Sequence, residues 1–392
     1  MLQQKHILLG ITGGIAVYRI AELARTLIKQ GAHVRCIMTA SACAFVSPLT
    51  FEALTGESVH TELFNLTHER EMGHIQLARW ADVVLIAPAT CNVLAKISHG
   101  IADDLLTTMI QVCKQPILIA PAMNPSMWQS QATQDNITTL RQRGIHILPP
   151  ASGILACGEH GAGRLPDLHI IVDTLIPLLQ ASYLQGQRWV INAGPTVESW
   201  DAVRTLSNRA SGTLGACLAR VAAAWGADVC LIAGVGTPST PEYIQRVVVK
   251  TGLEMLAACE KHAANSDVFI ATAAVSDFRF THVATEKIKR GDTSSLHVEL
   301  TANPDIVAHI AHMPERPHQV IAFAAETQQH IAHAQDKLQR KGVDAIVAND
   351  VSNMGQSTSS GWWVTPQHVT ALTASDKTPF AMQIIQSIME LT

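Results

Sequence analysis

Two glycine-rich turns are the first places where this sequence could do chemistry. Gly10-Ile11-Thr12-Gly13-Gly14-Ile15 closes an apolar run and opens straight into a segment with helical spacing. A turn of that kind aims free backbone N–H groups and the positive end of a helix at a phosphate. Its spacing is not GxGxxG. The next apolar run ends in Thr39-Ala40-Ser41, with no carboxylate to grip an adenosine ribose. The pair of features favours a mononucleotide with one phosphate over a nicotinamide dinucleotide, whose dehydrogenases would need that acid. The second turn begins at Gly194-Pro195-Thr196-Val197-Glu198. It continues through Asp201, Val203, Arg204, Ser207, Asn208, Ser211 and Gly212 into another helical segment, and it is again an anion cradle. Elsewhere the candidates are single residues. Alone, His74 reads as a cap, Asn124 as a turn former, Cys157 as a buried hydrophobe, Lys287 as a charged turn, and Lys337 and Lys341 as solvated helix lysines.

Elements of regular structure must position these turns. Runs of β-branched and aliphatic residues predict strands at His6–Gly13, His33–Thr39, Val83–Pro88, Ile117–Pro121 and Ile145–Leu148. Between the first two, Ile20, Leu23, Ala24, Leu27 and Ile28 fall on one helical face and Gly31 ends the helix. The pattern restarts at Trp189–Ala193 and continues through Asp228–Ala233, Val268–Ala274, Val320–Ala324 and Ala345–Ala348. Strands alternating with amphipathic helices predict an α/β fold of two doubly wound parallel-sheet domains, 1–188 and 189–392, with the linker at Leu184–Arg188. In such sheets ligands sit beyond the carboxyl ends of the strands, which is where the two turns fall.

Composition bounds the partners. The 392 residues are 47% hydrophobic and 15% charged, enough apolar material for two cores and too much for a disordered chain. A formal charge of -4 gives no reason to expect nucleic acid or an acidic membrane as partner. Eight cysteines stand at irregular spacings without a CxxC pair, so neither a zinc site nor a disulfide framework is expected, and a reducing cytoplasm fits. No run of about 18 apolar residues predicts a membrane span, and the glycine-broken apolar start does not resemble a targeting segment.

Four segments add specificity to the first half. They are Met72-Gly73-His74-Ile75, Ala87-Pro88-Ala89-Thr90-Cys91-Asn92, Ala120-Pro121-Ala122-Met123-Asn124-Pro125, and the glycine-rich Gly153 to Leu165 around Cys157. Together they resemble the flavin-dependent cysteine decarboxylases, which include phosphopantothenoylcysteine decarboxylase. The resemblance spans the first half and implies bound FMN. The cysteinyl end is oxidised to a thioaldehyde, whose C=S accepts the electrons released as CO2 leaves, and the enethiol is then reduced, with no net redox change. By resemblance His74 assists oxidation and decarboxylation, Asn124 orients the substrate carboxylate and Cys157 gives the final proton, while Gly153 to Leu165 closes as a lid. The implied flavin contacts are Gly13, Gly14 and Ile15 at the phosphate, Thr39 and Ser41 after the second strand, and Ala89, Thr90 and Asn92 near the ring. Cys91 stands where relatives commonly have alanine.

The second half carries Ala271 to Asp277, Glu286-Lys287-Ile288-Lys289, Asn303-Pro304-Asp305-Ile306, Ala322 to Thr327 and Ala348-Asn349-Asp350. With the Gly194 turn, these resemble phosphopantothenate-cysteine ligase, a Rossmann-like domain that bacteria commonly fuse behind the decarboxylase. The resemblance implies activation of 4'-phosphopantothenate by CTP with Mg2+ as an acyl-cytidylate, then attack by the amine of L-cysteine. Lys287 meets the developing phosphate charge, Asn208 binds the acyl group and Ala273 allows close backbone approach. Asp277, Asn303, Pro304, Asp305, Ile306, Phe323, Lys337 and Lys341 match CTP-binding positions. No metal ligand is singled out. Two departures stand out: Ser199-Trp200, where relatives more often carry proline, and Thr213 in place of a common lysine. The resemblance also implies a homo-oligomer, trimeric through the first half and dimeric through the second, which a dodecamer satisfies. A non-catalytic flavin-binding regulatory protein is the alternative from another class.

Overall fold

The computed structural model describes residues 1–63, 73–154, 158–289, 296–326, 330–350, 356 and 358–391. The expectations for Met72 and Cys157 lie outside the described residues. The chain divides into two compact units, Met1–Gln180 and Ala181–Thr392. This division falls earlier than the expected 188/189 boundary. Leu184 is buried and its amide donates to the Trp225 carbonyl at 2.9 Å, so 184–188 is anchored to the second unit.

The first unit is built on a five-stranded parallel sheet. Its strands are β1 (His6–Ile11), β2 (His33–Met38), β3 (Val83–Ala89), β4 (Ile117–Pro121) and β5 (His146–Ile147), in the order β2-β1-β3-β4-β5. Every residue of β3 and β4 is buried, as a sheet covered on both faces demands. The helix Val17–Lys29 turns Ile20, Leu23, Ala24 and Leu27 into one of the two cores. Ile20, Leu23 and Leu27, fully buried, each contribute about 1.5–3 kcal/mol. Pro149 and Pro150 stop the fifth strand early, because proline offers no N–H to a ladder. An antiparallel hairpin of β6 (Ala151–Ile154) and β7 (His160–Arg164) follows. Strand order reverses between β1 and β3, which leaves a crevice at their carboxyl ends.

The second unit has an eight-stranded sheet and two small ribbons. In chain order the strands are β8 (Arg188–Ala193), β9 (Val197–Ser199), β10 (Thr205–Ser207), β11 (Asp228–Ala233), β12 (Gln245–Val248) and β13 (Val268–Ala271). Then come β14 (Phe278–Phe280), β15 (Leu300–Ala302), β16 (Gln319–Glu326), β17 (Ala345–Asp350), β18 (Thr358–Val364) and β19 (Val369–Asp376). The large sheet runs β12-β11-β8-β13-β16-β17-β18-β19. Its first six strands are parallel and its last two antiparallel. The antiparallel pair is an addition to the expected parallel sheet. The connection from β17 to β18 is too short for a crossover helix, so β18 can only fold back. The order reverses between β8 and β13, which puts Gly194 and Thr272–Ser276 at the second crevice. β9 with β10, and β14 with β15, form the ribbons beside it. Among the described residues no helix is long and apolar enough to cross a membrane.

Candidate active sites

In the first unit a cleft of about 700 Å3 opens at the β1/β3 reversal. Gly13, Gly14 and Ile15 line it after β1, Thr90 and Cys91 after β3, and Met123 and Asn124 after β4. The buried Thr12 hydroxyl binds the first two segments together, donating to the Pro88 carbonyl at 2.6 Å and accepting the Thr90 N–H at 3.0 Å. A Cβ on Gly13 would stand 2.3 Å from Ser41 Cβ, so only glycine lets the turn lie against the segment after β2. Thr39 caps the short helix there by accepting the Ala42 N–H at 3.3 Å. Thr90 caps the helix Cys91–His99 through the Val93 N–H at 3.4 Å.

Asn124 is the polar group of the cleft with the most definite environment. It caps Pro125–Gln129, its Oδ1 accepting the Ser126 N–H at 2.8 Å, while its Nδ2 donates to Glu159 Oε2 at 2.7 Å. The β6–β7 hairpin is seated on this turn: the Met123 N–H donates to the Gly163 carbonyl at 2.9 Å, and a Cβ on Gly161 would meet Pro125 at 3.0 Å. The Asn124 amide thus already engages a carboxylate, the chemistry expected of it toward substrate. The Gly14 N–H is spent inside the turn, donating to the Thr12 carbonyl at 3.0 Å. A glycine turn opening a helix, with walls from Ile15, Met123, Met127 and Ile154, fits a phosphate joined to a flat, largely apolar ring.

The other described residues expected in this half are not part of the cleft lining. His74 is half-buried at the start of the helix His74–Trp80. Thr39 and Ser41 flank the Gly13 turn, Ala89 is fully buried in β3, and Asn92 is exposed. Sequence reasoning missed Thr12 and Glu159. A threonine hydroxyl at the end of an apolar strand was a usable signal, since a buried hydroxyl must find partners.

The second site is organised by the β9–β10 ribbon. Asn208 follows β10, and its Nδ2 donates to the Ala274 and Val275 carbonyls at 3.2 and 3.1 Å. The amide hydrogens are committed to the loop after β13, so Oδ1 is the group left to meet a ligand. Ala273 lies in the same loop, its N–H donated to the Oδ1 of buried Asn192 at 3.0 Å. Glu198, buried in β9, accepts the Gly252 N–H at 2.9 Å and the Asn303 Nδ2 at 3.3 Å. The Asn303 Nδ2 also donates to the Ser276 carbonyl at 2.8 Å, and its backbone N–H donates to the Asp277 carbonyl at 2.8 Å.

Asp201 lies between the ribbon's strands with its side chain fully buried. The Arg204 guanidinium, followed by the backbone N–H groups of Val203, Arg204 and Ile288, holds its carboxyl far below the usual carboxylate range despite burial. Buried Cys36, Cys230 and Cys259 show the opposite case, their thiols pushed up by burial to about 12, 11 and 12.

The remaining expected residues separate into groups. Lys287 is exposed in the chain beyond β14. Asp305 caps Ile306–Ala311 and pairs with Lys341 at 3.2 Å, so two expected nucleotide contacts hold each other. Pro304 is half-buried between them and Asn303. Ile306 is a core residue, 3% exposed, which leaves only its backbone for a ligand. Phe323 is half-buried in β16, and Lys337 is half-buried on the helix His330–Lys341. Thr213 opens the helix Thr213–Ala224, its hydroxyl 2.8 Å from that of Ser211. Sequence reasoning missed Asn192, and it placed Thr196, Glu198 and Asp201 in the second turn without giving any of them a partner. An asparagine inside the apolar strand Trp189–Ala193 was the visible clue, because a buried amide requires partners.

Two family models match the chain end to end. One is Flavoprotein, over residues 1–180, and the other is the DNA/pantothenate metabolism flavoprotein C-terminal domain, over residues 184–391. The coenzyme A biosynthesis bifunctional protein CoaBC of Vibrio cholerae is 44% identical over 382 residues, which cover 96% of this chain and 96% of that one. The chain belongs to the CoaBC family. The CoaBC of Escherichia coli K12 is 42% identical, with 92% of this chain and 89% of the other covered. A crystal structure of a CoaBC C-terminal domain is 33% identical and covers 54% of this chain and 97% of its own, with a TM-score of 0.47. The CoaBC match runs through both units, so the cleft of the first and the ribbon-bounded site of the second belong to one bifunctional design.

Proposed function

We propose that this chain makes 4'-phosphopantetheine from 4'-phosphopantothenate in two steps of coenzyme A biosynthesis. The second unit joins 4'-phosphopantothenate to L-cysteine at the expense of CTP, and the first unit decarboxylates the product. The observation that carries this reading is the cleft of the first unit, where an anion-binding glycine turn and a carboxylate-binding asparagine share one wall.

In the decarboxylase the turn at Gly13, Gly14 and Ile15, at the start of its helix, would hold the FMN phosphate. Bound FMN would supply a two-electron acceptor for the cysteinyl end of the substrate that is restored within the same turnover, so that decarboxylation involves no net redox change. Asn124 exchanges Glu159 for the substrate carboxylate and orients it. His74 moves the proton during oxidation, and Cys157 supplies the last one. The β6–β7 hairpin excludes water from the reacting end.

In the ligase, Lys287 places its ammonium where negative charge grows on the acyl phosphate, and Asn208 holds the acyl group through Oδ1. Asn303, Asp305 and Lys341 meet CTP, which must compete with the Asp305–Lys341 pair. Among the described residues no group of three His, Cys, Asp or Glu could hold a metal ion. In this reading Mg2+ enters as an ion carried in on the triphosphate, its usual mode of binding. The same reading has the chain assemble as a homo-oligomer built on trimers.

Two variants test the division of labour, with products followed by mass spectrometry from phosphopantothenate, cysteine, CTP and Mg2+. Asn124→Ala is expected to accumulate phosphopantothenoylcysteine, with decarboxylation slowed about 100-fold or more. Lys287→Ala is expected to make little of it, yet to decarboxylate it normally when it is supplied. Normal decarboxylation by Asn124→Ala would rule out its role.

A further inference from the structure

Lys287 sits in a stretch that regular structure does not hold. From Thr281 to Lys289 the described chain has neither helix nor strand, and Lys287 itself is exposed. An ammonium on four methylenes can stabilise a transition state only if its backbone root is fixed, because otherwise ordering it costs entropy in the reaction itself.

The next residue along is gripped at both of its backbone polar groups. The Ile288 N–H donates to Asp201 Oδ2 at 3.0 Å, and the Ile288 carbonyl accepts from Arg204 Nη2 at 2.7 Å. The two gripping side chains are themselves locked together. Asp201 Oδ2 accepts Arg204 Nε at 2.9 Å and Nη2 at 2.5 Å, while Oδ1 accepts the Val203 and Arg204 N–H groups at 2.8 and 2.7 Å. On its other side the Arg204 guanidinium lies over the Trp200 ring, 4.0 Å from the centroid. That ring stacks at 14° on Phe280 of β14, with centroids 5.8 Å apart. The Trp200 carbonyl also accepts the Ala284 N–H at 3.1 Å. The aromatic at Trp200, a departure from the commoner sequence, thus braces the same segment from its other end.

We propose that Asp201 is a positioning residue of the ligase: with Arg204 it clamps the Ile288 backbone, Asp201 holding the peptide that joins it to Lys287, and so fixes the root from which Lys287 reaches the reacting phosphate. The inference rests on the assignment of Lys287 to the ligase reaction. A buried carboxylate with this many donors would stabilise any turn. What singles out this one is that its only long-range backbone ligand among the described contacts is the residue after Lys287.

The test uses the full chain, with CMP release reporting the ligase and CO2 release from supplied phosphopantothenoylcysteine reporting the decarboxylase. Asp201→Asn keeps the size but sets an amide where the Ile288 N–H and Arg204 need an acceptor. It is expected to lower ligase kcat about 10- to 100-fold, to change KM for CTP less than about threefold, and to leave decarboxylation unchanged. Hydrogen exchange at 281–289 should speed up. In the Lys287→Ala background the same substitution should add no further loss of kcat. Arg204→Lys keeps the charge but cannot hold both Asp201 and the Ile288 carbonyl, so it must give the same signature if Asp201→Asn does not fold. The proposal is overturned if ligase kcat stays near wild type in a folded Asp201 variant, or if the loss multiplies fully on Lys287→Ala. A Lys287→Ala enzyme that ligates normally would instead remove the reading beneath the proposal, and is recognised by that single variant alone.

Discussion

At the residue scale the chemistry depends on side chains whose partners are far away in sequence. Asp201 is the clearest. Its folded pKa lies below the value of about 3.9 for a free aspartate, so its contribution to stability is complete above that value and is lost as pH falls through the folded one. The difference in melting temperature between wild type and Asp201→Asn should therefore be constant from about pH 5 to 8 and should shrink below about pH 4. A difference that closes above pH 5 would contradict the assignment. Residues of this kind were the least legible in the sequence. Asn192 meets Ala273 across 81 positions, Thr196 meets Ser276 across 80, and Asp201 meets Ile288 across 87. Nothing local distinguishes them from ordinary polar residues. Asn208 and Asn124 were legible only through the motifs around them.

At the element scale the reverse holds, because a turn or a helix is written in neighbouring residues. The helix Val17–Lys29 carries its buried stripe where the spacing puts it, and both glycine turns stand at strand-order reversals. Three strands of the large sheet escaped notice for physical reasons. β12 is half-exposed and short, while β18 and β19 pair antiparallel at the end of the sheet, with every second residue of most of β18 buried. Alternation over so few residues competes poorly with long apolar runs as a signal. The Gly13 turn gives the element-scale prediction. Gly13→Val adds a side chain where even Cβ would stand 2.3 Å from Ser41, so the turn must move away from the segment after β2. Purified Gly13→Val should lack the flavin absorbance of the wild type and should lose decarboxylation, while CMP release by the second unit continues. Retention of flavin at wild-type stoichiometry would show that the turn is not the phosphate cradle.

At the scale of the whole molecule, the two units each carry a crevice at a strand-order reversal, and the family match covers both. The linker expectation missed the boundary because 184–188 is polar in sequence yet tied into the second unit through Leu184. Fusion makes chemical sense where one unit's product is the other's substrate. The central claim is that both reactions belong to this one chain, and the most direct test is a single incubation of the purified protein. Given 4'-phosphopantothenate, L-cysteine, CTP and Mg2+, a flavin-containing preparation should release CMP, pyrophosphate and CO2 and yield 4'-phosphopantetheine by mass spectrometry. Accumulation of phosphopantothenoylcysteine without CO2 from protein that carries its flavin would contradict the account of the first unit, and absence of CMP would contradict that of the second.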